Sequence, residues 1–167
     1  MHEDIAPLVA ALAEALRARG WRMASAESCT GGMIAAACTD LAGSSDWFER
    51  AVVSYSNDAK IELLGVPAEL IDEHGAVSEA VALAMADGIR ARARVDVGVG
   101  VTGIAGPGGG TPEKPVGTVA IAAMTSSATR SRVFRFMGER EQVKFQASQS
   151  ALDMVRRMLR ESGKVEV

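Results

Sequence analysis

Val95, Val97, Val99 and Val101 alternate with Asp96, Gly98 and Gly100. A period of two specifies a strand, and this strand's second face is almost bare of side chains. It runs straight into Thr102-Gly103-Ile104-Ala105-Gly106-Pro107-Gly108-Gly109-Gly110, a glycine loop reaching to about Pro115. A loop at a strand's C-terminal end offers backbone donors where open α/β sheets bind ligands. It reads equally well as an ordinary surface loop.

The flanking segments alternate in type. Ile5, Leu8, Val9, Leu12 and Leu16 recur at helical spacing, and Arg17, Arg19 and Gly20 mark that helix's end. A short strand is expected over Trp21 to Ala26, then a tight turn at Ser28-Cys29-Thr30-Gly31-Gly32, then a helix from Met33. Phe48 to Tyr55 reads as a strand, and Asn57-Asp58 can cap a short helix through Lys60 to Gly65. Pro67 opens another short helix that Gly75 closes, and Ser78-Glu79 starts an alanine-rich one through Ile89. Two neighbouring strands follow, Val116–Met124 and Ser131–Phe136, and a long helix from about Glu139. This order predicts an α/β fold, a three-layer α/β/α sandwich around a mixed sheet. With 167 residues, no repeat and no linker, residues 1–167 read as a single domain.

Charge narrows the function classes. Lys+Arg 18 against Asp+Glu 21 leaves a net charge of −3, without the basic excess of a dedicated nucleic-acid binder. The basic residues gather in the second half, as a solvated helix face and an arginine-rich edge strand would have it, or as a phosphate-bearing small molecule would need. No apolar run reaches the ~18 residues of a membrane span, and Glu3 and Asp4 are unlike a secretory signal. Cys29 and Cys38 make no disulfide framework, so a reducing, cytoplasmic location is expected. Gly98-x-Gly100-x-x-Gly103 matches a dinucleotide fingerprint by letter, but its glycines lie within the strand rather than in a turn opening a helix. No metal-ligand spacing occurs.

Three places can carry chemistry. Ser28 stands between a strand end and a helix start, where backbone N–H groups can hold an oxyanion or a phosphate; a plain helix cap is the competing role. Cys29 is a rival nucleophile. A serine needs a base, and His2 and His74 are the only histidines: one is terminal and the other suits a helix end. Lys60, the only lysine before Lys114, lies just past a strand end and is either that base or a solvated helix residue. As a base it needs a lowered pKa and an amine within ~2.6–3.2 Å of the Ser28 hydroxyl. The glycine loop after Thr102 is the third place.

Four blocks, Ala26-Glu27-Ser28-Cys29-Thr30-Gly31-Gly32, Ser54-Tyr55-Ser56-Asn57 with Lys60, His74-Gly75-Ala76-Val77-Ser78, and Thr102 to Gly109, resemble in order and spacing the CinA C-terminal domain family. The resemblance covers nearly the whole chain. It implies an amidohydrolase that converts nicotinamide mononucleotide (NMN) to nicotinate mononucleotide and ammonia, in pyridine-nucleotide recycling, with no metal or other cofactor. It implies Ser28 as nucleophile, Lys60 as base and Tyr55 as polar support. Thr102 and Gly103 would line the substrate site, and Arg140 would bind the phosphate; Thr30, Gly31 and Gly32 are expected to bind substrate for their own reason, as a turn that offers N–H donors. Glu139 stands where the family more usually has an aspartate, and Lys144 where it usually has an arginine, so the share of Lys144 in phosphate binding is left open. A non-catalytic competence or damage-inducible module is the alternative, since family members also bear such names; an esterase or amidase of another substrate is a third reading. The expected partner is the small nucleotide, with no nucleic acid and no membrane, and a homo-oligomer is left open.

Overall fold

A computed structural model describes residues 5–163. The chain runs α1 (Ala6–Arg19), β1 (Met23–Glu27), α2 (Met33–Thr39), a 3-10 turn (Ser44–Asp46), β2 (Phe48–Val53), α3 (Asn57–Leu64), α4 (Ala68–His74), α5 (Glu79–Ala93), β3 (Val97–Gly103), β4 (Thr118–Met124), β5 (Thr129–Arg135) and α6 (Arg140–Gly163). One five-stranded sheet has the order β2-β1-β3-β4-β5. β1 pairs in parallel with β2 and β3, while β3–β4 and β4–β5 are antiparallel, so the sheet is mixed. Helices α1, α2 and α6 cover one face and α5 the other, giving the expected three layers. Among the described residues no helix is long and apolar enough to cross a membrane.

The valines and glycines of β3 sort onto these two faces. Val97, Val99 and Val101 are fully buried in a core with Leu12, Leu16, Ile34, Leu152 and Val155. On the other face a Cβ at Gly98 would lie 2.2 Å from the Ala86 carbonyl oxygen, and one at Gly100 would lie 2.3 Å from that of Ala82. The backbone of α5 therefore sits against the backbone of β3. Ala120 and Ala122 of β4 continue this small-residue surface under Ala82 and Ala86.

The strand ends differ from the sequence reading, each for its own reason. β3 begins at Val97 because Arg94 (φ 55°) closes α5 in the left-handed region and the Val95 N–H donates back to the Arg90 carbonyl. β4 begins at Thr118 because Gly117, at φ +96° and crowding the Phe136 carbonyl, makes the turn with Val116. β2 ends at Val53, which frees Ser54 and Tyr55 to bend toward the end of β1. At the other edge β5 starts at Thr129, and Arg130, Arg132 and Arg135 lie along it, a charged edge that resists pairing with another strand.

A methyl group tests the β3–α5 approach. Gly100→Ala should cost on the order of 2–3 kcal/mol in urea denaturation, because the clash is with backbone that cannot step aside. Gly108→Ala, with nothing within 4 Å and no left-handed φ, should stay within about 0.5 kcal/mol of the parent.

Candidate active site

In an open α/β sheet the ligand crevice opens where neighbouring strands send their chains to opposite sides, beyond their carboxyl ends. Here that point lies between β1 and β3. Ser28 follows β1 directly, and its N–H donates to the Val101 carbonyl at 3.0 Å, which fixes the serine to the end of β3. A cleft of about 250 Å³ opens there, with Ser28, Cys29, Tyr55, Lys60, Thr102, Gly103 and Arg140 in its wall.

Lys60 reaches this cleft from α3. Ser56 caps that helix by accepting from the Ala59 N–H, and Lys60 lies on its buried side, only 2% exposed. Its Nζ stands 3.0 Å from Ser28 Oγ and 3.1 Å from the Tyr55 carbonyl oxygen. This is the approach expected of a base. Burial lowers the Lys60 pKa from its ordinary value. As placed, the amine donates to Ser28 Oγ and to the Tyr55 carbonyl, which the Ser28 hydroxyl also faces at 3.4 Å; loss of a proton from the amine frees a lone pair that can accept from the Ser28 hydroxyl. Cys29 is buried beside the serine, and desolvation pushes its thiol up to about 12, so it stays protonated and a poor nucleophile. Burial likewise raises Cys38, and both cysteines are free.

Tyr55 enters the site in two ways. Its carbonyl orients the amine, while its exposed ring carries a hydroxyl that accepts from Arg140 Nη2 at 3.2 Å. Arg140 also donates to the Gly106 carbonyl at 2.7 Å, so it ties the glycine loop to the cleft mouth. Thr102 lines the cleft, but its hydroxyl donates to the Ala76 carbonyl at 2.9 Å and joins β3 to the segment before α5. Gly103 is needed for space, since a Cβ there would lie 2.6 Å from Val119 and 3.0 Å from the Cys29 sulfur.

The turn after Ser28 departs from the expectation of free donors at the start of α2. Those donors meet the Glu27 carboxylate, fully buried at the end of β1. Its Oε1 accepts from Thr30 Oγ1 at 2.8 Å and from the Gly32 and Ile34 N–H groups at 3.0 Å; its Oε2 accepts from the Ala35 N–H at 3.0 Å and from Ser25 Oγ at 3.1 Å. The Thr30 hydroxyl and the Gly32 N–H thus serve Glu27, and Thr30, Gly31 and Gly32 are not in the cleft wall. Gly31 and Gly32, at φ 59° and 100°, make the turn sharp enough for the chain to curl over this carboxylate. The N–H groups of Cys29 and Thr30 donate to no oxygen among the described residues.

Glu27 is the residue the motif contained but sequence reasoning gave no role. An acid just before a turn into a helix is its only signal, because carboxylates favour helix N-termini. Lys144, whose share in phosphate binding the sequence left open, has its amine 3.5 Å from where a Cβ on Gly31 would stand, one helical turn after Arg140 on α6. His74 lies outside the cleft wall at the end of α4, with its ring 3.8 Å from Glu73, and His2 lies outside the described residues. No three His, Cys, Asp or Glu side chains converge among the described residues.

Known proteins share this architecture. The family model of the CinA C-terminal domain matches residues 5–159. The chain is 53% identical over 146 residues to a CinA-like protein of Syntrophobacter fumaroxidans, covering 87% of this chain and 34% of that one. It is 51% identical over 157 residues to a CinA-like protein of Geotalea daltonii, covering 94% and 37%. It thus spans about a third of the length of these curated relatives. A crystal structure of the competence/damage inducible protein CihA from Agrobacterium tumefaciens superposes with a TM-score of 0.90 at 41% identity, covering 93% of this chain and 95% of that one. A CinA superfamily protein from Escherichia coli superposes at 0.88 with 33% identity, covering 95% and 92%.

The buried amine has a thermodynamic signature. A free lysine holds its proton to about pH 10.4. Folded Lys60, with its lowered pKa, releases it earlier. Between the two values the unfolded chain binds more protons, so stability rises with pH across that window; below it the buried ammonium is a constant cost. Lys60→Met should remove the alkaline rise and add on the order of 1 kcal/mol at neutral pH. Urea denaturation across a pH series checks both; a variant that keeps the wild-type slope would assign the rise to other groups.

Proposed function

The chain belongs to the CinA C-terminal domain family, and from that premise we propose that it is an amidohydrolase converting NMN to nicotinate mononucleotide and ammonia. The observation that carries this reading is the buried Lys60 amine at hydrogen-bond distance from the Ser28 hydroxyl, inside a cleft. A buried lysine without a carboxylate partner opposes stability. Such pairs accumulate where chemistry needs a base near neutral pH.

In the proposed reaction neutral Lys60 takes the Ser28 proton as Oγ attacks the carboxamide carbon. The tetrahedral oxyanion is stabilised by the backbone N–H of Cys29, which lines the cleft and whose N–H donates to no oxygen among the described residues. The carbon–nitrogen bond breaks, the Lys60 ammonium returns its proton to the leaving nitrogen, and ammonia departs, leaving an ester on Ser28. Water, deprotonated by Lys60, then attacks the ester, and the proton returns to Ser28. The sum is amide plus water to carboxylic acid plus ammonia. At about 250 Å³ the cleft is small beside ordinary ligand pockets of ~300–1,000 Å³. It suits the carboxamide ring, with the phosphate left at the mouth near Arg140 and Lys144.

The names of the solved relatives support a second reading, a non-catalytic module tied to competence or damage. Its weakness is Lys60, because a binding module gains nothing from burying an amine against a serine.

Ammonia release from NMN, with nicotinamide riboside and free nicotinamide as controls, separates the two. Ser28→Ala and Lys60→Arg should each lower kcat by about 10³-fold or more in folded protein, since arginine keeps the charge and cannot act as base. Cys29→Ala should retain most activity. Arg140→Ala should raise KM more than it lowers kcat, because phosphate binding changes little between ground and transition states. A wild-type protein that binds NMN without releasing ammonia would favour the second reading. In the active enzyme kcat/KM should rise with pH through a Lys60 ionisation below that of free lysine.

A further inference from the structure

Glu27 and Lys60 are both buried around Ser28, yet they do not pair. The carboxylate faces α2 and receives hydrogen bonds from Ser25, Thr30, Gly32, Ile34 and Ala35. The amine faces the Ser28 hydroxyl and the Tyr55 carbonyl. Ser28 follows Glu27 in sequence, so its position is set from two sides. Its N–H is held by Val101, and the turn after it is held by the carboxylate through Thr30 and Gly32. The Glu27 backbone joins in, since its carbonyl accepts from the Ser54 N–H at 2.8 Å and so steadies the segment that presents the Tyr55 carbonyl.

We propose that Glu27 is the positioning residue of the site: its carboxylate fills the start of α2, fixes the Ser28–Thr30 turn against Lys60, and denies that helix end to the substrate's anionic group. The proposal rests on Ser28 as nucleophile. Its second half bears on how substrate binds. A helix start ordinarily attracts phosphate. Here an internal anion already occupies it, fully buried, and a second negative group beside Glu27 would be repelled. The phosphate is thereby directed to Arg140 in the cleft wall, and the uncharged carboxamide to the serine. The separation also denies Lys60 a carboxylate that would hold it protonated.

Glu27→Gln is the test, since it keeps the shape and one acceptor oxygen but turns an amide N–H toward donors. Two readouts are compared in variants shown to be folded by circular dichroism and thermal melting. The first is the rate at which a fluorophosphonate forms its phosphorus–oxygen bond to Ser28 with loss of fluoride. The second is steady-state deamidation of NMN. A misplaced nucleophile should slow labelling and lower kcat by at least about tenfold, with KM within about twofold. Labelling at the wild-type rate in folded Glu27→Gln would overturn the proposal. So would a rise in KM at unchanged kcat, which would make Glu27 a substrate-binding group. Labelling reports on Ser28 whether or not NMN is the substrate. A wild-type protein that labels but does not deamidate NMN therefore removes the reaction while leaving the positioning role to be decided by labelling. If Glu27→Gln does not fold, Ser25→Ala, which deletes one of the donors to the carboxylate at a residue that does not line the cleft, takes its place. A several-fold slower labelling then supports the proposal, and an unchanged rate overturns it.

Discussion

The fold is organised by the contact between the backbone of α5 and the backbone of β3. Gly98 and Gly100 leave no side chain between them, so the helix settles directly on the central strand. β3 is also the strand where the sheet changes from parallel to antiparallel pairing. Whatever fixes β3 therefore fixes both halves of the sheet. Its carbonyl at Val101 holds Ser28, its hydroxyl at Thr102 holds the segment before α5, and its last residue, Gly103, makes room for Cys29 and Val119. The cleft is the open end of this strand.

Two buried ionisable groups lie within that end, and their different surroundings give them different parts. Glu27 has its charge answered by hydrogen-bond donors on every side, which is how an anion is kept stable out of water. Lys60 meets a hydroxyl and a carbonyl, neither of which carries a full opposite charge, so burial lowers its proton affinity. The first arrangement holds a turn rigid. The second leaves an amine able to give and take a proton. Cys29, a better nucleophile in isolation, is silenced by the same dry surroundings that lower the lysine's pKa, because burial opposes charge on both.

Much of this was legible in the chain. The valine–glycine alternation marked β3, the turn residues marked the start of α2, and the alternation of helices and strands gave the three layers. Ser28 stood out by its place at a strand-to-helix turn and Lys60 because histidine was nearly excluded as a base, and the family resemblance chose between their competing roles. The strand ends were less legible, since they are set by long-range contacts such as Gly117 against Phe136. Thr30 and Gly32 looked like ligand donors because an isolated turn of that composition has free N–H groups. That an acid five residues before Gly32 would reach back to occupy them is a matter of how β1 and α2 pack.

The sequence by itself determined which residue types could do chemistry and where the backbone had to bend, because periodicity and glycine placement act over a few residues. Only the tertiary structure decided which of them met. Lys60 lies 32 residues beyond Ser28, Arg140 reaches Tyr55 across 85 residues, and the Glu27 carboxylate turns away from the lysine rather than toward it. Those choices follow from which face of the sheet each side chain occupies and how much water remains there, and neither is written in local spacing.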